Sequence, residues 1–289
     1  MDAATEASLP HSVLEASPPR SALTFGEFVQ ERDRCRDPNY RSDHMLLREA
    51  FFCNTNRLWD TVSREIEDEI ELHNKLCKIK VLVISRFTGS PRNDEGGSKA
   101  IARAVRRKEV SELRKWVTTM RCTGRKTYRA VYSRQELAIM LDDVCVELAS
   151  VDESASLHTL AAKVRETFKM AAEKHEELRM LKKQNSHRKC SFHSVQLACD
   201  LFAMGIIDVK DPSDCPLAKG SRAGLKHVVR FEGKTTLKEL AVQNKRQAHE
   251  IQTSLCEYDK YVRWSSGQPF RKRERKRKRW ASGVLKRDL

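Results

Sequence analysis

A mostly α fold with one small β element is predicted by three features of this sequence. Apolar residues recur at intervals of three and four over long stretches, the spacing of one helix face. Glycine and proline are scarce, at 11 and 8 of 289 residues, so few positions force a turn. The chain is 33% charged and only 7% aromatic, with a mean hydropathy of -0.62, which suits many helices that each keep one face in water. The architecture expected is an elongated multi-helix body with a small C-terminal β element.

Residues 1–22 are rich in Ala, Ser, Pro and Glu without periodicity and read as a disordered leader. The helical domain is expected over 23–264. Leu23 to Arg36 predicts a short helix with Phe25, Phe28 and Val29 on one face, broken by Asp37-Pro-Asn-Tyr40. A long helical region follows from about Ser42 to Phe87. Leu47, Phe51, Leu58, Val62, Ile66 and Ile70 keep helical spacing, as do Leu76, Ile79, Val83 and Phe87, with Asn74 as a local irregularity. Thr88 to Ser98 is a loop by its Gly, Ser, Pro and Asn content. Lys99 opens a basic helix that is expected to continue through Val110, Leu113, Trp116 and Met120.

Ser133-Arg-Gln-Glu136 has the spacing of a capping box, in which hydroxyl and carboxylate each satisfy a free N–H at a helix start. The helix it opens buries Leu137, Leu141, Val144 and Leu148. Asp152 to Ser156 reads as a turn. A long charged helix then runs from Leu157 to Gln184 on an inner face of Leu157, Leu160, Val164, Phe168, Leu178 and Leu181, and pairs with the preceding one as a hairpin.

The stretch from Phe192 to Phe231 organises the rest. Val195 to Met204 is an amphipathic helix, and Gly205 stands where a helix takes a left-handed residue to end. Ile206–Val209 reads as a short strand. His227–Phe231 is expected to pair with it, because Val228 and Arg230 alternate with Val229 and Phe231. Thr235 to Arg263 predicts one last helix, with Leu237, Ala241, Ala248, Ile251, Leu255 and Tyr258 inside. Residues 265–289 form a basic tail that is expected to be disordered.

The candidate chemistry is thin. His187, Cys190, His193 and Cys199 have an H-x-x-C-x-x-H-x5-C spacing that could hold tetrahedral zinc. Against it, Cys199 lies on the apolar helix face and Arg188 and Lys189 add repulsion, so no metal is assigned. Gly96-Gly-Ser-Lys99 lacks the Gly-Lys-Ser/Thr order of a phosphate loop. Asp142 with Asp143, and Glu67 to Glu69, are neighbours on helices and face different ways, so they do not converge on one reacting atom. A solvated face is the expected meaning. Nine scattered cysteines with no C-x-x-C pair read as free thiols in a reducing compartment. Cys122 and Cys145 have no nearby histidine in sequence, and no Gly-x-Ser-x-Gly elbow exists. No catalytic residue and no cofactor are assigned, and the chain reads as a non-enzyme.

Charge is more informative. The net charge is +15, and about half of it sits in the tail, on Arg271, Lys272, Arg273, Arg275, Lys276, Arg277, Lys278 and Arg279 with Lys286 and Arg287. A second cluster is Arg103, Arg106, Arg107 and Lys108, followed by Arg121, Arg125, Lys126 and Arg129. Such runs track a phosphate backbone or an acidic lipid surface. The tail also matches a nuclear-localisation run. No apolar run approaches the roughly 18–20 residues that span a bilayer, and the start lacks the pattern of a signal peptide. An intracellular site is therefore expected, in the cytoplasm or at the cytoskeleton, with the nucleus as the alternative.

The order of elements is similar to a known family. Lys78-Ile-Lys-Val-Leu-Val-Ile-Ser-Arg-Phe87, a loop, helices at Ser111–Met120 and Gln135–Leu148, and the charged helix Lys163–Lys183 follow one another. Ser191-Phe192 and Leu201-Phe-Ala-Met-Gly-Ile-Ile-Asp-Val-Lys-Asp211 come last. Over roughly residues 70–232 this resembles the Ras-GAP C-terminal domain of the IQGAP scaffold family. That family continues into several more strands, whereas Thr235 to Arg263 reads here as helix. No calponin-homology domain, IQ motif or GAP-related domain precedes the match. The resemblance implies a helical protein-interaction module with cytoskeletal and membrane-edge partners. Two functions are thus expected: a non-catalytic scaffold or adaptor that binds protein partners, or a basic nuclear or RNA-associated protein whose tail binds nucleic acid or acidic lipid.

Overall fold

A computed structural model describes residues 22–49 apart from 36 and 38, together with 74–88, 99–120, 132–178 and 191–268. Helix accounts for 72% of the residues described, and the only sheet among them has two strands, so the chain is mostly α.

Helix α1 (Phe25–Arg34) begins at a capping box: the Thr24 hydroxyl accepts the Glu27 N–H, and the Glu27 carboxylate accepts the Thr24 N–H at 2.9 Å. Phe25, Phe28 and Val29 share its buried face. The short α2 spans Met45–Glu49. Helix α3 (Lys75–Thr88) starts where Asn74 accepts the Cys77 N–H at 2.9 Å. The Asn74 irregularity is thus a helix start, because an asparagine side chain satisfies a free N–H there better than it serves a helix interior. Residues 50–73, and with them most of the expected long helix, lie outside the described residues.

The basic helix is two helices, α4 (Lys99–Arg107) and α5 (Val110–Thr119). Extended backbone at Glu109, with ψ 157°, breaks it. Helix α6 (Arg134–Ala149) opens with the expected Ser133–Glu136 box and buries Leu137, Leu141, Val144 and Leu148 completely. Strand β1 (Glu153–Ser156) replaces the expected turn. Its Glu and Ser composition hides it, because Ser156 also caps helix α7 (Leu157–Lys174) by accepting the Thr159 N–H at 3.1 Å. Helix α7 ends earlier than expected, at an extended His175 with ψ 117°. Residues 176–178 turn helical again, and Leu181 lies outside the described residues.

Helix α8 (Ser191–Ala203) ends at Gly205 as expected. Gly205 has φ 62° and donates to the Phe202 carbonyl at 3.0 Å, while Ile206 donates to the Leu201 carbonyl at 2.9 Å. This is the Schellman pattern, with buried Ile206 near buried Leu201 as its apolar contact. Strand β2 follows at Asp208–Asp211, two residues later than expected, because Ile206 and Ile207 belong to the bend. It pairs in parallel with β1, Glu153 facing Asp208 and Ser156 facing Asp211. A parallel pair needs a long crossover, supplied here by α7 and α8.

The expected partner strand His227–Phe231 is instead the end of helix α9 (Lys219–Glu232). Alternation over five residues was outweighed by a tighter helical contact. Gly220, Ser221, Gly224 and Val228 form one small-residue face against the last helix, α11 (Ala248–Ser265). A Cβ on Gly224 would sit 1.9 Å from the Leu255 carbonyl oxygen, and one on Gly220 would sit 2.5 Å from the Cys256 sulfur. Only glycine lets the helices approach so closely.

The expected last helix is likewise two, α10 (Leu237–Gln243) and α11. Lys245 takes φ 51° and Arg246 donates to the Ala241 carbonyl, a second Schellman ending. All six residues expected on the inner face are buried, so the apolar stripe was legible and the break in it was not.

Helix α3 packs on α4, α6 and α8; α6 packs on α5 and α7; and α7 packs on α8. In the other group α11 packs on α1, α2, α9 and α10. Phe202 of α8 meets His249 of α11 edge-on, with centroids 5.8 Å apart. Helix α1 is clamped by α11: Leu23 N–H donates to the Tyr261 hydroxyl and the Tyr258 hydroxyl donates to the Leu23 carbonyl, both at 3.0 Å.

Candidate functional site

Helix α4 sorts its residues by side. Ile101, Ala102, Ala104 and Val105 are buried, while Arg103, Arg106 and Arg107 are exposed one turn apart, and Lys108 is half-buried just past the end. Arg103, Arg106 and Arg107 thus share one exposed face. Exposed Glu109 and Glu112 bound it on the α5 side. The tail patch, Arg271 to Arg279, lies outside the described residues, as do Arg121, Arg125, Lys126 and Arg129.

Of the carboxylates that the sequence sets side by side, Asp142 and Asp143 tie helices together, and Glu67 to Glu69 lie outside the described residues. Asp142 accepts from Lys80 of α3 at 2.7 Å and from Arg114 of α5 at 2.9 Å. Asp143 faces the other way, to Lys174 and to His175, the latter at 2.7 Å. The two do diverge, but they form inter-helix ion pairs rather than the solvated face expected. Burial works to raise the Asp143 carboxyl, and its bonds from Lys174 and His175 outweigh that and hold it below the usual range.

The most buried pair joins α3 to α8. Arg86 grips Asp200 with two nitrogens, one of them 2.9 Å from the carboxylate, and the Asp200 side chain is 0% exposed. His193 lies on the same face of α8 two turns earlier, its ring centroid 5.3 Å from that of Phe87. Burial, with the nearby Arg86 charge, holds the His193 imidazole below its usual range. Its neighbour in the zinc spacing, Cys199, is buried as a small apolar group, and His187 and Cys190 lie outside the described residues. Among the described residues no three His, Cys, Asp or Glu side chains gather as a metal site would need.

A third cluster has the residue types of nucleophilic catalysis. His227 meets Asp259 at 3.2 Å, Asp259 also accepts from Arg263 at 3.0 Å, and Cys256 lies one turn away. Burial and the charge of Glu257 push the Cys256 thiol up to about 11, so it is not a ready thiolate. Cys145 is wholly buried and its thiol is raised further. The arrangement locks α9 to α11 rather than activating a nucleophile.

Two surfaces are not visible in the sequence: one because the alternation at 227–231 reads as a strand, the other because the break between α10 and α11 carries no glycine or proline. The outer face of α9 carries Arg222, Lys226 and Arg230 along one edge, all exposed, with Leu225 and Val229 beside them. The four-residue spacing of these cations, together with the Gly220–Gly224 spacing, was the signal available for a helix. The second surface is an open groove of about 490 Å³ between the β2–α9 connection and the α10–α11 turn, lined by Ser213, Lys238, Val242, Lys245 and Gln247 among others. Arg246 at its edge is held by Asp33.

Among the described residues no helix is long and apolar enough to cross a membrane. Comparison with protein-family models, with curated proteins and with solved structures found no match to this chain.

Proposed function

We propose that this chain is a non-catalytic helical adaptor that holds an acidic protein partner on exposed basic helix faces. The observation that carries the reading is the one-sided α4, where three arginines stand in water over a fully packed apolar floor. A helix built that way presents positive charge at a fixed spacing, which steers and registers an acidic surface. Two further points support it. The described carboxylates weighed for acid–base work are engaged in inter-helix pairs, and the thiol of the His227–Asp259 cluster is pushed away from reactivity. The resemblance of residues 70–232 to the Ras-GAP C-terminal domain of the IQGAP scaffold family is part of the same proposal, as are a cytoplasmic or cytoskeletal location and protein rather than small-molecule partners.

The second reading, a nuclear or RNA-associated protein, is favoured by the tail alone, with eight cations in nine positions. Binding of a fluorescent 20-nucleotide RNA across a salt series separates them. Three proteins are compared: the full chain, the full chain with Arg275, Lys276, Arg277 and Lys278 changed to Gln, and the full chain carrying R103E and R106E. The adaptor reading expects RNA binding to be weak, steep in salt and lost with the tail changes. Tight RNA binding that survives the tail changes and falls with R103E/R106E would establish the nucleic-acid reading instead.

A further inference from the structure

We propose that the outer face of α9 is a docking ridge for an acidic amphipathic helix of a partner protein. The inference rests on the adaptor reading and narrows it to one helix and one kind of partner. Arg222, Lys226 and Arg230 repeat every four residues, so their heads stand about 6 Å apart along the helix. Leu225 and Val229 run beside them at the same interval, and Val229 is 39% exposed. The positions i, i+3, i+4, i+7 and i+8 form one continuous strip, half basic and half apolar. The only acidic residue of α9 is Glu232, at its last position, where it accepts the Phe25 N–H at 2.6 Å. No carboxylate of α9 pairs with Arg222 or Lys226.

The strip is also held still. On the opposite side Gly220 and Gly224 lie against α11 so closely that the helix cannot roll without separating from it. His227 is fixed by Asp259, Phe231 stacks on His227 at 5.9 Å, and the Arg230 guanidinium lies 5.7 Å from the Phe231 ring. A charged edge whose geometry is already set loses little freedom on binding.

Its chemistry selects the occupant. A partner helix with Glu or Asp at four-residue intervals repeats its carboxylates at the same pitch as the three cations, and an apolar edge on that helix covers Leu225 and Val229. A nucleic-acid backbone offers phosphates but nothing to cover the apolar half. A membrane-lying helix turns a broad apolar face, rich in Trp, Phe or Leu, to the lipid. On α9 the apolar surface beside the cations is only exposed Val229 and half-buried Leu225, too narrow for that.

The test uses the full chain and a labelled synthetic helical peptide with Leu at the a and d positions and Glu at e and g. A peptide of the same composition with Leu and Glu scrambled, and a 20-nucleotide RNA, are the controls. The ordered peptide is expected to bind at least about tenfold more tightly than the scrambled one. R222E/K226E and L225S/V229S are each expected to weaken it about tenfold, with helical content and melting temperature unchanged, while R103E/R106E changes it less than about twofold. R222Q/K226Q, which adds no new charge, should fall between. Three results overturn the proposal: no binding of the ordered peptide, equal binding of the scrambled peptide and RNA with no effect of L225S/V229S, or loss with R103E/R106E alone. The second makes α9 a general polyanion surface. The third leaves the adaptor reading standing and moves the site to α4.

Discussion

Gly205 and Gly224 both resist substitution, Gly205 through its own backbone and Gly224 through a neighbour's. At Gly205 no atom lies within 4 Å of where a Cβ would be, so only the φ of 62° opposes a side chain. Gly205→Ala and Gly205→Val should each cost about 1–2 kcal/mol, the penalty for left-handed backbone. At Gly224 the backbone is ordinary helix, but the Leu255 carbonyl blocks any Cβ, and Gly224→Ala should cost about 1–3 kcal/mol or more as α9 and α11 part. Urea midpoints for the variants check both, and an unchanged midpoint for Gly224→Ala would mean that these helices do not cross there. Asp200→Ala removes the buried carboxylate that Arg86 grips and should cost about 3–5 kcal/mol by the same measurement. The titrating groups separate by pH. His193 is held neutral by burial, so its unfolded form takes up a proton first. Stability should fall as pH drops below the unfolded value of about 6.5 and level off below the lower folded one. His193→Phe should remove that limb from a pH series of melting temperatures. At Asp259 burial works to raise the carboxyl, and bonding from His227 with the Arg263 charge outweighs it, so the folded value is depressed. Its contribution is therefore present above the unfolded value, near pH 4, and is lost as the pH falls further through the folded one. Asp259→Asn should shrink that lower limb, to which Asp143 also contributes, and leave the His193 limb as it is.

Among the elements, those whose apolar stripe and cap agree were legible from the sequence. Helix α6 announces itself by Ser133 and Glu136 and by a stripe from Leu137 to Leu148, and α1 by its phenylalanines. Breaks within a stripe were not legible. The stripe continues through Lys245 because buried residues on α10 and α11 keep helical spacing across the turn, and a lysine carries none of the glycine signal that marked Gly205. The β1–β2 pair was half legible, since β2 follows a recognisable helix stop while β1 is made of residues that usually cap or turn. Helix α9 was misread because five residues of alternation fit a strand, and its true partner, the α11 backbone at Leu255, is a tertiary fact. Of the candidate sites, the α4 patch was legible from its arginine spacing, and the α9 ridge disappeared with the misread helix. Restoring a side chain at Gly220 gives an element-level check. Gly220→Ala pushes on the Cys256 sulfur, a flexible side-chain end, and so should be milder than Gly224→Ala, which pushes on backbone, when the two are compared by urea unfolding.

At the scale of the whole molecule, charge and fold are expected to separate. Changing Arg275, Lys276, Arg277 and Lys278 to Gln should leave the melting temperature unchanged, because repelling like charges bury nothing. On duplex DNA the same change should reduce the salt slope by about 3–4 units if all four meet phosphates. A fall of several degrees in melting temperature would show instead that the tail packs on the helices. The clamp on α1 acts at this scale too, and it has a consequence in time. Leu23 and Tyr258 are 235 positions apart in sequence, and the fully buried Phe25 and Phe28 pack on rings at Tyr258 and Tyr261. At synthesis rates of about 5–20 residues per second, α1 emerges roughly 10–50 s before α11 is made. Throughout that interval the two phenylalanines lack those tyrosine rings, and the growing chain offers them to any holdase near the ribosome. Helix α1, made well before the helix that clamps it, thus completes its packing late.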